Sequence, residues 1–513
     1  MNVRSIDRYA RLAAVGLVIF CAATVRVEAQ DLTQFEERTT LHTLDNGWTF
    51  IIVERPVAPV FSFATLVNVG GAQEVPGITG LAHMFEHMAF KGTSKFGGSD
   101  FEAERPALAA MEEAYQAYQA ERLATNSDPE QLEELLATFR ERQEDAAQYV
   151  VANEFDEILT GEGGVGLNAF TNSDFTGYFY SLPANKLELF CYLESERFLD
   201  PVYREYYKER DVVQEERRLR TESQPIGRLL EQFRATAFSA HPYKQPVVGY
   251  MSDLQSITMT DAEAFHQKYY VPSNLVTAVV GDVDAESLIP MLETYFGRIA
   301  RRPAPEPVRT VEPPQIAEKE VRLLDPSQPV YLEGYHISSQ THPDQPVWDA
   351  IDDILSGGRT SRLYRSLVRD KKIAANAGSF SQLPGSKYPT LWLAFAFPSP
   401  NSSNDEVQAA IHEEIERMKT EDVTDEELDR FKTRAKADLL RSLRSNSGLA
   451  SSLAEYQTLY GDWRELFRYV ERIDAVSKED IKRVISAALV PANRTVGRIE
   501  TIQEPAVEQT AGE

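Results

Sequence analysis

The stretches TDAEAFHQKYYVPSNLVTAVV (260–280) and SKEDIKRVISAALVPANRTVGRI (477–499) follow one pattern and decide the fold. Thr260 and Ser477 each stand three positions before an acid, which is the capping-box signature of a helix start. Each helix then ends at a Pro-x-Asn turn and is followed by a short strand. We predict two related α/β units, an α+β fold in which an antiparallel sheet is flanked by helices in each unit. Two unrelated α/β domains with a common ending are the alternative.

A proline-rich segment separates the two units. Strand-like alternation at 61–69 and 330–337, followed by a helix in each case, marks an early strand in each unit. The prolines between them stand among charged residues, a composition that stays extended and semi-rigid, and they are Pro303, Pro305, Pro307, Pro313 and Pro314. The predicted boundaries are a first unit at 30–300, a linker at 301–320, a second unit at 321–500 and a disordered tail at 501–513.

An inserted helical hairpin is predicted within the first unit, at residues 101–157. Apolar residues recur there at helical spacing on both sides of a turn at 125–129, and they are Leu108, Met111, Tyr115, Tyr118, Leu132, Leu135, Phe139, Ala146 and Tyr149. Two helices that pack on each other explain this pattern. An arm that docks a partner is the functional alternative.

The N-terminus reads as a signal peptide, residues 1–29. Three arginines precede an apolar run at 12–24, and Val27-Glu28-Ala29 offers small residues for a cleavage site. The run is too short to span a bilayer as a helix. We therefore expect an exported protein, periplasmic or secreted, without stable membrane insertion.

Composition excludes two classes of protein. The formal net charge of −26 argues against a nucleic-acid binder, which needs a basic face. Only two cysteines are present, and Cys21 would leave with the signal peptide, so a disulfide framework is excluded. Cys191 lies in an apolar helix, where a buried inert thiol is the expected state.

The motif His83-Met84-Phe85-Glu86-His87 carries the strongest chemical signal. It lies in an apolar stretch that reads as a helix ending before Gly92, and positions i and i+4 of a helix share a face. Both imidazoles can therefore point at one metal ion. Glu86 stands beside the same point, where its carboxylate could take a proton from a metal-bound water. Two core histidines near an unrelated glutamate are the structural alternative.

A catalytic zinc ion needs a third protein ligand and an open fourth position. The candidates lie in an acidic helix, where Glu209 and Glu216 are two turns apart and share a face, while Glu215 points about a quarter-turn away. One of the pair can bind metal and the other can hydrogen-bond to a ligand. Spacing alone does not establish this assignment, because acidic helices are usually solvated faces.

The inverted His-x-x-Glu-His motif and its continuation to Thr93 resemble the zinc site of the pitrilysin/insulinase metallopeptidase family. The shorter members of that family, which are the bacterial ones and those that resemble the mitochondrial processing peptidase, are nearest to this chain in size. The resemblance covers nearly all of the chain after the signal peptide and continues through residues 167–171, 209–216 and 355–364. It implies one zinc ion per chain with His83, His87 and Glu216 as ligands. It also implies Glu86 as the general base and Glu209 as a carboxylate that supports a ligand.

The same resemblance implies how substrate binds. Asn168 and Ala169 would lie on an edge strand to which an extended peptide adds by main-chain hydrogen bonds. Two related halves enclose a chamber in this family, which fits the repeat and the linker.

Two departures from the family pattern stand out. The interval from His87 to Glu216 is longer than usual, and the 101–157 hairpin accounts for the excess. Active members also often carry an Arg and a Tyr seven positions apart that bind the substrate carbonyl as charge develops on it. The corresponding positions here are Val368 and Ala375, or Arg369 and Asn376 after a shift of one. We therefore expect a zinc-bearing subunit whose partner, a related chain, supplies the missing pair.

The sequence thus predicts an exported zinc endopeptidase that hydrolyses peptides or unfolded polypeptide segments, either as a homodimer or as the catalytic subunit of a heterodimer. A catalytically silent peptide-binding scaffold of the same fold is one alternative. A structural zinc protein is another, and the glutamate beside a three-ligand site disfavours it, because structural sites close all four positions with protein groups.

Overall fold

Two mixed β-sheets organise the protein in the computed structural model, which describes residues 35–502. The expected signal peptide lies outside the described residues, as does the expected tail beyond residue 502. The strands of the first sheet are β1 (Thr39–Thr43), β2 (Thr49–Glu54), β3 (Val60–Val67), β4 (Val165–Thr171), β5 (Thr176–Pro183) and β6 (Leu275–Gly281). Those of the second are β7 (Lys319–Asp325), β8 (Val330–Ile337), β9 (Ala374–Leu383), β10 (Thr390–Pro398) and β11 (Arg494–Thr501).

The two sheets share one strand order. The first runs β1-β2-β6-β3-β5-β4 and the second runs β7-β11-β8-β10-β9, so the first has the same five-strand arrangement plus the edge strand β1. This confirms the predicted α+β fold of two related units. The residues 299–318 between the units contain neither helix nor strand.

Neither sheet is purely antiparallel, which corrects part of the expectation. The pairs β2–β6 and β7–β11 are parallel, whereas all other neighbouring strands are antiparallel. In each unit the last strand of the sheet follows a helix. This connection returns the chain so that β6 runs parallel to β2 and β11 runs parallel to β7. The pattern of alternating strands does not reveal that direction.

The helices of the first unit are α1 (Leu81–Met88), α2 (Phe101–Arg122), α3 (Pro129–Ala147), α4 (Glu154–Gly161), α5 (Leu187–Leu199), α6 (Tyr206–Arg217), α7 (Pro225–Ala237), α8 (Met251–Leu254), α9 (Met259–Tyr269) and α10 (Ala285–Tyr295). Those of the second are α11 (Gln345–Ser356), α12 (Asn404–Thr420), α13 (Asp425–Ser442), α14 (Asn446–Tyr460), α15 (Glu465–Ala475) and α16 (Lys478–Ala488). Helices α2 and α3 pack on each other within the segment predicted as a hairpin.

One of the two predicted helix starts was placed wrongly. Ser477 caps α16 with a full capping box, as expected. Helix α9, however, is capped by Thr258 and Asp261, and Thr260 lies inside the helix. Both hydroxyls stand three positions before an acid, so the spacing fits either start, and the extended backbone at Thr258 decides between them.

Each unit contributes one helix that packs on the sheet of the other unit. Helix α7, from the first unit, lies on strands β7 and β11 of the second sheet, whereas α14, from the second unit, lies on β3 and β6 of the first. The fully buried ring of Phe233 on α7 fits against Gly334 and Gly497, where a Cβ would approach the ring atoms to 2.8 and 3.1 Å. Both faces of both sheets are therefore covered, which explains the nearly continuous burial of strands β3 and β8.

Candidate metal centre

A buried carboxylate fixes the start of helix α1, which carries the His-x-x-Glu-His motif. Glu74 is 3% exposed and accepts hydrogen bonds from the backbone N–H groups of Gly80 (2.8 Å) and Ala82 (2.7 Å). Burial raises the pKa of Glu74 to about 8, against the lowering effect of these hydrogen bonds. Asp253 holds the preceding loop by accepting from the hydroxyl of Thr79 at 2.6 Å.

Three ligand atoms converge where α1 packs against α6. Oε2 of Glu216 lies 3.6 Å from Nε2 of His83 and 3.4 Å from Nε2 of His87. Among residues 35–502, this trio is the group of His, Cys, Asp and Glu side chains close enough to hold one metal ion. The structure thus brings together the three residues that were expected as zinc ligands.

Burial and neighbouring charges shift the pKa values of the three residues in different directions. Burial lowers the pKa of His83 to about 4, so its ring is neutral and able to bind a cation. Burial also acts to lower the pKa of His87, but the Glu209 and Glu216 carboxylates outweigh it and raise the value to about 9. The pKa of Glu216 is lowered, first by its hydrogen bond with His87.

Glu209 lies behind His87. Its Oε2 is 3.5 Å from Nδ1 of His87, and its Oε1 is 2.6 Å from the ammonium group of Lys91. Burial alone would raise the pKa of Glu209, but His87 and Lys91 lower it to about 2. Glu209 therefore occupies the place expected of a carboxylate that supports a ligand. Lys91 was not identified from the sequence, although it lies in the motif's continuation.

Glu86 faces the same site from helix α1. It is half-buried, and burial raises its pKa, an effect that a hydrogen bond with Thr171 partly offsets. A raised pKa suits a group that must accept a proton and later release it near neutral pH. Thr171, which sequence reasoning missed, ends strand β4.

The residues expected to bind substrate lie on the same strand. Asn168 and Ala169 are in β4, the edge strand of the first sheet next to α1, and Asn168 is exposed. They pair with Phe179 and Tyr178 of β5 on one side only. The other side of β4 has no neighbouring strand among the described residues.

The neighbouring residues Glu215 and Glu216 differ clearly in exposure and in what they face. Glu215 is 57% exposed and pairs with Arg218, away from the histidines. Glu216 is 17% exposed, and its Oε1 is 2.5 Å from Arg220, which leaves Oε2 to face the two imidazoles. Arg220 is a further neighbour of the site that the sequence did not indicate.

The positions expected to bind a substrate carbonyl lie in the second unit. Val368 and Arg369 are in a π-helical turn, Tyr364–Asp370, and Ala375 and Asn376 are on strand β9. Arg369 is exposed and donates to its neighbour Asp370 at 2.6 Å.

The donor set fits zinc. Two imidazole nitrogens and one carboxylate oxygen are the ligands of several catalytic zinc sites, which keep a fourth position open. Cys191, whose thiol has its pKa raised to about 12 by burial, lies in the hydrophobic core between the first sheet and the helices of the first unit, and it plays no part in the site.

Sequence comparison identifies the family. Residues 49–147 match the family model described as "Insulinase (Peptidase family M16)", and residues 256–435 match the one described as "Peptidase M16 inactive domain". The chain belongs to the insulinase family of peptidases. The resemblance inferred from the sequence motifs is thereby confirmed.

Individual insulinase-family relatives span most of the chain. The zinc protease PqqE of Helicobacter pylori is 29% identical over 92% of this chain and 95% of its own length. The probable mitochondrial-processing peptidase subunit beta of Arabidopsis thaliana is 22% identical over 91% of this chain and 79% of its own. A crystal structure of a protease from H. pylori superposes with a TM-score of 0.74 at 27% identity, covering 90% of this chain and 99% of that one.

These comparisons support peptidase chemistry with zinc, since the relatives are named zinc proteases. An M16 inactive domain from Pseudomonas fluorescens, at 16% identity and a TM-score of 0.70, shares the fold. In the part of the chain that the structure describes, no helix is long and apolar enough to cross a membrane.

Proposed function

We propose that this insulinase-family chain is a zinc-dependent endopeptidase of peptides and unfolded polypeptide segments, exported by its N-terminal signal. The convergence of His83, His87 and Glu216 on one point, with Glu86 beside it, carries the proposal. Three ligands and a neighbouring carboxylate with a raised pKa are what hydrolysis needs, whereas a structural zinc site fills four positions with protein groups.

Zinc held by this trio would supply Lewis-acid chemistry, by activating water and by polarising the scissile carbonyl. The chain's own contribution is to move the proton. Glu86 accepts a proton from the attacking water on its carboxylate and delivers it to the nitrogen of the leaving amine. Glu209 keeps the His87 ring oriented, since its carboxylate faces Nδ1 while Nε2 points at the Glu216 carboxylate within the trio.

Substrate would bind along strand β4. An extended peptide can add to the open side of this edge strand, along the main chain of Asn168 and Ala169. Thr171 on the same strand contacts Glu86, so a peptide added there runs past the general base. This geometry favours substrates that can lie extended.

A partner chain would complete the site. Val368 and Ala375 have no polar side-chain group, Asn376 has an amide in place of the family's Tyr hydroxyl, and Arg369 donates to its neighbour Asp370. We propose that a related subunit that carries the Arg/Tyr pair contributes the donors that stabilise charge on the substrate carbonyl.

The decisive experiment is cleavage of a quenched fluorescent library of unstructured peptides by the purified mature chain, with zinc content measured on the same sample. Glu86→Gln is the matched variant, because it preserves size while removing the proton acceptor. We expect chelator-sensitive cleavage, by the chain alone or after the related subunit is added, that Glu86→Gln abolishes without losing zinc. Cleavage by Glu86→Gln at the wild-type rate would refute the assignment of the general base.

Two other outcomes of the same experiment are informative. Bound zinc without cleavage by the chain alone supports the requirement for a partner, and cleavage should then appear when the related subunit is added. A chain that binds no zinc supports the alternative of a silent peptide-binding scaffold.

A further inference from the structure

Arg204 is a buried guanidinium at the entrance to helix α6, the helix that carries Glu209 and Glu216. Its side chain is 1% exposed, and its partner Glu104, on the inserted hairpin, is fully buried. Nε and Nη2 of Arg204 each donate to one oxygen of the Glu104 carboxylate, both at 2.7 Å. Such bidentate pairs fix orientation as well as distance.

The same guanidinium also holds the loop that follows helix α1. Nη1 of Arg204 donates to the carbonyl oxygens of Thr93 (2.8 Å) and Phe96 (3.1 Å). Two glycines leave room for the Arg204 guanidinium, since a Cβ at Gly98 would lie 2.6 Å from Nη2 and one at Gly92 would lie 3.0 Å from Nη1. One side chain therefore connects the end of α1, the start of α6 and the hairpin.

Two more contacts join the hairpin to α6. The hydroxyl of Tyr207 donates to Glu112, and Arg210 donates to the hydroxyl of Tyr115. The rings of Tyr115 and Tyr207 have their centroids 4.1 Å apart. At 3.6 residues per turn, the face of α6 that bears Tyr207 and Arg210 is turned away from the face that bears the two ligand-side glutamates.

We propose that the inserted hairpin is a positioning element of the metal centre and that Glu104 is its principal residue. The ligands lie on two helices, α1 and α6, so the distance from the imidazoles to Glu216 depends on how these helices are held. The Arg204–Glu104 pair fixes this distance by holding both the loop after α1 and the start of α6 against the hairpin. The inference rests on the proposed zinc-dependent function, and it assigns the inner face of the hairpin to the chain's own site.

The test compares zinc affinity, measured by competition with a chelator, and kcat and KM in variants of the full mature chain. Glu104→Gln keeps the size of the side chain but leaves the buried Arg204 charge without its partner, and it lowers stability. A second variant, Glu104→Leu with Arg204→Met, removes both charges and retains apolar volume, so that folding is preserved. Glu427→Gln is the control, because Glu427 accepts a bidentate pair from Arg362 (both 2.8 Å) in the second unit.

We expect both Glu104 variants to bind zinc about tenfold more weakly, in the range seen when groups that support metal ligands are removed. Their kcat should fall more than KM changes, since the substrate strand β4 is not part of the contact. The control should lose thermal stability yet bind zinc as tightly as the wild type. Restoring the acid with Glu104→Asp should recover part of the affinity.

Folded Glu104 variants with wild-type zinc affinity and kcat would overturn the inference while leaving the proposed function intact. An equal loss of zinc affinity in Glu427→Gln would also overturn it, because general destabilisation would then be the cause. A wild-type chain that binds no zinc would refute the proposed function itself, and the inference with it.

Discussion

Zinc binding by this chain should compete with a proton on His87. Without metal, Glu209 and Glu216 outweigh the effect of burial and raise the pKa of His87 to about 9, whereas burial lowers the pKa of His83 to about 4. Near neutral pH, His83 is therefore neutral and His87 is protonated. A metal ligand must be a neutral imidazole, so zinc has to displace this proton and its affinity must rise with pH.

The pKa sets the size of the effect. With a value of about 9, the neutral fraction of His87 grows about tenfold per pH unit, so zinc affinity should rise about 100-fold from about pH 6 to about pH 8, or about 2.7 kcal/mol. With the ordinary value of 6.5, the same change of pH would give a rise of only about fourfold.

Competition with a chelator of known pH dependence measures the affinity at each pH. Because the chain has only eight histidines, NMR titration of their ring signals in the zinc-free protein measures the pKa of His87 directly. Glu209→Gln serves as the internal control, since it removes one of the two responsible carboxylates and should lower that pKa. A fourfold change in affinity, or a His87 midpoint near 6.5, would refute the reasoning.

Three further substitutions test other parts of the structure. Glu216→Gln should weaken zinc binding by at least about tenfold, whereas the exposed Glu215→Gln should leave it unchanged; chelator competition measures both, and the reverse result would move the ligand by one residue. Phe233→Ala should lower the free energy of unfolding by about 3–5 kcal/mol, because it opens a cavity between α7 and the second sheet. Chemical denaturation measures this free energy, and a loss below about 1 kcal/mol would mean that the packing of α7 on the second sheet contributes little to stability.

The sequence predicts those features of the fold that rest on local pattern. Capped helices that end in Pro-x-Asn turns revealed the duplication, because caps and turns depend on a few adjacent residues. The direction of β6 and β11 and the sheet that α14 covers depend on contacts between distant segments. An apolar face on a helix indicates that the helix packs against another element, but it does not indicate which element that is.

The same division holds for the metal centre. The spacing of His83, Glu86 and His87 on one helix face is a local property, so the motif could be read directly. Choosing between Glu209 and Glu216 required the family resemblance, since their spacing places both on one face. The contacts of Lys91 with Glu209 and of Arg204 with Glu104 join separate segments, and charged residues of this kind are too common in the sequence to signal a pair.

The exchange of helices between the two units has a consequence for biosynthesis. The outer face of the first sheet, with Ile51, Ala64 and Val280 among its buried residues, is covered by α14, which the ribosome makes only after most of the chain. Until then the first unit presents a bare apolar surface and cannot complete its tertiary structure. Truncation before residue 446 should therefore yield an aggregating fragment rather than a smaller enzyme, even though every metal ligand would be present.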